Sequence, residues 1–310
     1  MTQQDFVSHL SARGWNSKDA ERLYIRPLID KSLTVCQWKK TLVGAFFSRY
    51  ATLGPMVHLS ECLEKDIPQW EDLTLPNLSD FKDYLLMKVA RNTAACYIRL
   101  LSATMNIYID SVPAKNFSMA LKMKKEPSQH VALTEEEVER IHNYQPHSVA
   151  EHDIKRAFML ECLCGARSCD IATITEDNIK DGWLTYVSQK TKTETSVPVH
   201  RYLRQYLNDK PHKAEHSSAL VGKVLKRICR KCNVNEEIKL FNKGQWRTEP
   251  KWKFVNSHTA RRSFATQLAL RGVPVATISK LMGHSSTVMT SRYICINKQD
   301  IGDAALEFFS

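Results

Sequence analysis

The run Lys122-Met123-Lys124-Lys125-Glu126-Pro127-Ser128-Gln129-His130 is mostly polar, contains a proline and has neither helical nor strand periodicity. A stretch of that kind splits a chain into two folding problems. Directly after it, Leu133-Thr134-Glu135-Glu136-Glu137 has the pattern of a capping box, with Thr134 bonding forward and Glu137 reaching back. The expected division is a first domain over 1–123, a linker over 124–132 and a second domain over 133–310. Residues 1–19 are a candidate N-terminal extension. With 310 residues, each half can bury its own core.

Before the linker, residues 20–123 read as several helices. Trp38, Leu42, Phe46 and Tyr50 step by four, with Lys39, Lys40 and Arg49 off that face. A second apolar stripe runs from Asn92-Thr93 through Tyr97, Leu100, Leu101, Met105 and Tyr108. Lys82 and Lys88 precede it, and Arg91 and Arg99 flank it. The aromatics are core residues on this reading, and the basic side chains beside them are the candidates for phosphate contact. After the linker, Ile154, Phe158 and Cys162 mark a helix that Gly165 can end in a left-handed cap. Trp183–Ser188 and Ser196–Val199 are β-like runs around a polar turn, which suits a hairpin. Helical spacing returns over 203–228, Phe241–Phe254 reads as irregular, and helices resume at Ser257 as N-cap. The fold expected is mainly α with a small β-sheet. No internal repeat or low-complexity segment is found.

The formal charge is +11, and both halves share it: 17 Lys and Arg against 12 Asp and Glu up to Lys125, then 27 against 21. Two basic halves suit a clamp around a polyanion, because each neutralised phosphate releases counterions. The nine cysteines read as reduced thiols, and Cys229-x-x-Cys232, which lacks the second ligand pair a structural metal site needs, reads as core packing. No metal and no cofactor is therefore expected. With no apolar run of membrane-spanning length and no basic-then-apolar start, a cytoplasmic protein without membrane attachment is expected.

Arg167, Lys190, His258, Arg261, His284 and Tyr293 are the parts needed to cut a phosphodiester without a metal. His258 and Arg261, three apart near a helix start, fall on one face, where the helix N-terminus favours an anion. Arg167 follows the helix-ending Gly165 and supplies a second guanidinium, with Asp170 placed to orient its neighbours. Planar guanidinium groups donate paired hydrogen bonds to phosphate oxygens and so hold charge that grows in the transition state. Leu281-Met282-Gly283-His284 is followed nine positions later by Tyr293. Each fragment alone has a plain structural reading; their occurrence in order is what carries weight.

Residues 165–170, 190–198, 258–261 and 281–293 together resemble the tyrosine recombinase (phage integrase) family. Residues 20–123 resemble, less specifically, its helical core-binding domain, and 133–310 its α+β catalytic domain. The resemblance implies a site-specific DNA recombinase working through a 3′-phosphotyrosyl intermediate and a Holliday junction, without metal or ATP. Tyr293 would be the nucleophile, Arg167 and Arg261 the phosphate clamp, His258 the acid–base partner of the tyrosine, and His284 a phosphate hydrogen-bonder. Asp170 would support them. Lys190, eight residues before Pro198, would protonate the leaving 5′-oxygen, with Lys192 as its rival.

In the first domain and linker, Lys39, Lys40, Lys88, Arg91, Arg99, Lys124 and Lys125 would contact DNA. The implied partners are double-stranded DNA with a specific core site and a homo-oligomer, a tetramer on paired sites. An accessory DNA-bending protein is compatible with this. The tail from about 294, with Ile301, Leu306, Phe308 and Phe309, would either dock on its own domain or exchange into a neighbouring protomer. The rival functions are a type IB topoisomerase-like enzyme and a DNA-binding regulator without cleavage.

Overall fold

Threonines placed before apolar runs start the helices of the first half. Thr2, Thr34, Thr41 and Thr74 each accept a hydrogen bond from the amide three residues ahead, satisfying donors that a helix start leaves open. In the computed structural model, which describes residues 1–126, 129–211, 216–242 and 245–296, the chain forms two compact units. Among the described residues the first holds 1–126 and Gln245, and the second 129–211, 216–242 and 246–296.

The first unit consists of helices α1 (Gln3–Ser11), α2 (Ser17–Tyr24), α3 (Val35–Trp38), α4 (Leu42–Tyr50), α5 (Gly54–Leu63), α6 (Leu75–Lys88), α7 (Arg91–Ile107) and α8 (Phe117–Ala120). The four-residue stripe through Trp38, Leu42 and Phe46 is buried as expected, but it spans two helices rather than one. Thr41 makes the break: its hydroxyl donates to the Trp38 carbonyl and accepts from the Gly44 amide. The turn brings α4 down onto the end of α3 at Gly44, where an added Cβ would lie 1.8 Å from the Trp38 oxygen. Phe6 and Leu10 of α1 are fully buried in this same core, so residues 1–19 pack as part of the unit.

The run read as a linker is tied down at both described ends. Arg91 Nε donates to the Lys124 carbonyl at 3.2 Å, and Asn92 pairs with the Glu126 backbone in both directions. On the other side Val131 is buried in the second core, and the Leu133 amide donates to Ser263.

The second unit is assembled around α10 (Val149–Cys164), preceded by α9 (Glu135–Asn143). The α9 capping box forms as its sequence requires. A helix enclosed on most sides must pair its polar groups. Lys155 Nζ donates to the His142 and Tyr144 carbonyls, and Glu151 accepts from Arg227, Tyr144 and the His147 amide. Then come α11 (Ser168–Ile171) and strands β1 (Ile179–Lys180), β2 (Trp183–Val187) and β3 (Glu194–Pro198). The sheet is antiparallel in the order β1-β2-β3, with Leu184 opposite both Ile179 and Val197. Asp181 and Gly182, both at positive φ, form the tight first turn. Alternation buries Leu184, Tyr186, Thr195 and Val197 and leaves Trp183 and Val187 exposed.

Helices α12 (Leu203–Asn208) and α13 (Ser218–Lys231) follow, with Cys229 and Cys232 buried in the core. The stretch read as irregular instead holds most of a second, two-stranded sheet that pairs β4 (Glu237–Asn242) with β5 (Gln245–Pro250), then a 3-10 turn. Ile238 and Leu240 of β4 pack against the core, whereas Gln245 to Thr248 of β5 are all exposed, so no alternation marks that strand. The chain closes with α14 (Ser257–Leu270), α15 (Val275–Leu281) and α16 (Thr287–Ser291). Asn256, not Ser257, caps α14. No helix among the described residues is long and apolar enough to cross a membrane.

Candidate active site

Two glycines shape the floor of the site. Gly165 ends α10 in the left-handed region (φ 65°), and a Cβ there would meet Phe264 of α14 at 2.4 Å. Only glycine allows both the reversal and the close approach of α14. Gly283 (φ 61°) plays the same part after α15, where a Cβ would sit 2.5 Å from Thr195 Oγ1 on β3. Arg167 leaves the first reversal and His284 the second.

Arg167 caps the start of α11, and its Nη1 donates to Ser188 Oγ at 3.1 Å. Ser188 in turn donates to Asp170 Oδ2 at 3.1 Å, while Asp170 Oδ1 accepts from the Gln189 amide at 2.7 Å. The fully buried Asp170 therefore fastens the β2–β3 loop to the Arg167 element. That loop carries both candidate lysines exposed to solvent. Lys192 takes a left-handed conformation (φ 55°), and its amide closes the loop on the Ser188 carbonyl at 2.8 Å.

Arg261, one turn into α14, is only 1 % exposed. Its Nη1 donates to the Gly165 carbonyl, and its Nη2 to the Met282 carbonyl at 3.3 Å and to His284 Nε2 at 3.0 Å. None of these partners is a carboxylate. Burial lowers its pKa, and the nearby Arg167 charge lowers it further, without threatening a group that stays protonated in any case. Besides Asp170, which meets Arg167 only through Ser188, the buried Glu161 carboxyl is pushed up to about 8 by desolvation, so it is mainly neutral near pH 7. Two cations close together with no counter-carboxylate bonded between them make a receptor for an anion.

His284 is 8 % exposed, and burial, then the Arg261 and Arg167 charges, push it down to about 4. It is neutral near pH 7. Arginine can only donate, so Nε2 is the acceptor and Nδ1 carries the hydrogen, an assignment inferred from the network. Nδ1 lies 2.9 Å from Thr290 Oγ1, which pairs with Ser279 Oγ at 2.6 Å. In this arrangement His284 orients Arg261 and does not present an N–H outward.

Tyr293 follows α16 and comes to the same place within one chain. Its ring centroid lies 5.1 Å from that of His284 and 5.5 Å from Arg261 Cζ. The Cys295 amide, bonded to Thr266 Oγ1 at 2.9 Å, pins the segment to α14. His258 sits at the exposed N-terminal rim of α14, a turn above Arg261. Its pKa is lowered by local burial first, then by Arg262, Arg261, Lys190 and Arg167. Lys190 thus reaches the site electrostatically.

The seven basic residues read as DNA contacts all lie in the first unit and are exposed. Lys88 sits over the Tyr84 ring at 5.4 Å, and none of the seven has an ion-pair partner among the described residues. Several residues around the site were not legible in the sequence. Ser188 and Thr290 are ordinary hydroxyls with no motif, and Arg262 was hidden beside its neighbour in Arg261-Arg262. A doubled arginine one turn into a capped helix is a signal that could have drawn attention to it.

The family model described as the phage integrase family matches residues 131–300, more than half of the chain. The chain is 24 % identical over 195 residues to a tyrosine recombinase XerA of Pyrococcus furiosus, covering 56 % of this chain and 60 % of that protein. It is 26 % identical over 200 residues to a tyrosine recombinase XerC of Caldanaerobacter subterraneus subsp. tengcongensis, covering 62 % and 55 %. The matches therefore span less than two thirds of the length of either relative. Among solved structures, a lambda integrase dimer bound to a COC′ core site is similar in fold, with TM-score 0.59 and 17 % identity over 83 % of this chain and 96 % of that one.

Proposed function

The chain belongs to the phage integrase family, and from that premise we propose that it is a site-specific DNA recombinase that cuts and rejoins strands through a 3′-phosphotyrosyl link. The observation that carries the reading is Tyr293, brought within one chain beside Arg261 and His284 in a cationic recess. The scissile phosphate would enter between the Arg167 and Arg261 guanidinium groups. Fixed donors of this kind stabilise the extra charge of the transition state without having to reorganise.

In the first step the Tyr293 oxygen forms a bond to phosphorus as its proton passes to the neutral imidazole of His258. The bond to the 5′-oxygen breaks, and Lys190 supplies that oxygen's proton. Conserving the phosphoester in the protein makes the step reversible, so the freed 5′-hydroxyl of a partner strand can attack in turn. Exchange between two duplexes would pass through a Holliday junction. His284 would act by holding Arg261 in register. Lys190 is favoured over Lys192 because its charge is felt at His258.

The partners proposed are duplex DNA with a defined core site and further copies of this chain, assembled as a tetramer on paired sites. The exposed cations of the first unit would hold the flanking DNA. The tail reading through Ile301, Leu306, Phe308 and Phe309 lies outside the described residues.

The test is trapping on a nicked suicide duplex. The wild-type chain should give a covalent protein–DNA band, Tyr293→Phe should give none, and DNA binding should be unchanged. A band that persists in the Phe variant would mean another nucleophile. Relaxation of supercoiled plasmid with no sequence requirement would instead indicate a topoisomerase-like nicking and closing activity. Binding without any band would indicate a regulator.

A further inference from the structure

Arg261 and Arg262 are neighbours in α14, yet the fold treats them differently. Arg261 spends both terminal nitrogens on the Gly165 and Met282 carbonyls and on His284, and only its Nε is buried without a partner among the described residues. Arg262 has Nε and Nη1 buried with no hydrogen-bond partner among the described residues. Guanidinium N–H groups removed from water and left unpaired are costly unless something arrives to accept from them. Its Cζ lies 6.0 Å from the Tyr293 ring centroid, so two guanidinium groups stand close to one phenol. The groups capable of negative charge that it faces are Tyr293 and Cys295, with no carboxylate among them.

We propose that Arg262 serves the nucleophile: its unpaired N–H groups take up the negative charge that grows on the Tyr293 oxygen during attack. The inference rests on the recombinase reading and adds a third guanidinium to it, directed at the attacking oxygen rather than at the phosphate. The same cation keeps His258 unprotonated and so available as the acceptor, although it opposes the positive charge that the imidazole then takes up. His258 faces Arg262 and Arg261 on its own helix, Lys190 on the β2–β3 loop and Arg167 at the start of α11; after burial, Arg262 is the largest influence that lowers its pKa. His130, in the segment before α9, also senses Arg262 and His258. A neutral His258 can accept the phenolic proton; Tyr293 Oη then bonds to phosphorus, and the 5′-oxygen leaves with the Lys190 proton.

The experiment compares Arg262→Gln and Arg262→Lys with the wild type, once circular dichroism shows all three folded. One arm follows the His258 imidazole by NMR against pH without DNA. The other follows single-turnover covalent-complex formation on a nicked duplex carrying the core sequence recovered from trapped DNA. Arg262→Gln should move the His258 midpoint upward and slow covalent-complex formation at neutral pH about tenfold or more, with the acid limb of the rate profile moving to higher pH. Arg262→Lys should recover a large part of the rate. The proposal is overturned if Arg262→Gln leaves rate and acid limb unmoved, or if the Lys variant is as slow as the Gln variant, which would mark a packing role. A wild-type chain that never forms the covalent complex would remove the recombinase reading; the His258 midpoint needs no DNA, and if it does not move in Arg262→Gln the role of Arg262 fails separately.

Discussion

In the first unit Trp38, Phe6, Phe46 and Phe47 bury almost their whole surface, and Asp72 is the one buried charged residue among those described. In the second unit a single helix, α10, buries Glu151, Asp153, Lys155, Arg156 and Glu161, and around it Glu137, Asp170, Lys251, Arg261 and His284 are buried as well. Apolar burial is the cheapest way to hold a helical unit together. Buried charge is not, because desolvation offsets most of what the pairs return. Part of that cost falls at the cationic recess, where Glu161, Asp170, Arg261 and His284 are buried, and the rest in pairs such as Lys251–Glu137 away from it.

The contrast can be broken or sharpened in order of expected effect. Arg261→Met should reduce single-turnover cleavage by about two to three orders of magnitude, while DNA affinity changes far less. Equal losses in filter binding and cleavage would mean that the guanidinium only holds DNA. Phe46→Ala should cost the first unit about 3–5 kcal/mol in urea unfolding. Lys251→Met, which strands the Glu137 carboxylate it meets at 2.6 Å, should cost the second unit a similar amount, about 3–5 kcal/mol. The double change Glu137→Leu with Lys251→Met should restore most of that loss. A double variant as unstable as the single one would show that this pair, unlike the packing in the first unit, is essential for stability.

The smallest effect concerns pH. Glu161, raised from 4.5 to about 8, holds a proton in the folded chain that the unfolded chain releases, so stability falls as pH rises across that window. The slope is roughly 1.4 kcal/mol per pH unit at its steepest. His284, depressed from 6.5 to about 4, works in the opposite sense, and its contribution is lost as pH falls from 6.5 toward 4. The two partly cancel where the windows overlap, so the clean measurement lies above pH 6.5. Glu161→Gln should flatten the fall of melting temperature between there and pH 8, whereas variants of the first-unit core should leave that slope intact.

Local rules were legible wherever one residue type answers one local need. The Thr134–Glu137 capping box and the left-handed cap at Gly165 form as the sequence requires. Local reading failed where a second contact intervened. The Trp38–Tyr50 stripe breaks because Thr41 bonds both ways across it. The β4–β5 pairing escaped notice because β5 is exposed along most of its length and lacks the alternation that a half-buried strand shows. The six candidate site residues could be named from short motifs, but Ser188, Thr290 and Arg262 could not, since their importance lies in what they face.

The order of amino acids by itself determined two helical-rich halves, their basic character and the list of phosphate-handling side chains, because periodicity, capping and charge are properties of neighbours along the chain. Only the tertiary structure decided that Arg261 is buried and His258 exposed although they share a helix face, that His284 accepts from Arg261, and that Arg262 is left with unpaired donors beside Tyr293. Those outcomes depend on how closely α14 approaches Gly165 and where the segment after α16 comes to rest. Such distances are set by packing between residues far apart in sequence, and no local pattern encodes them.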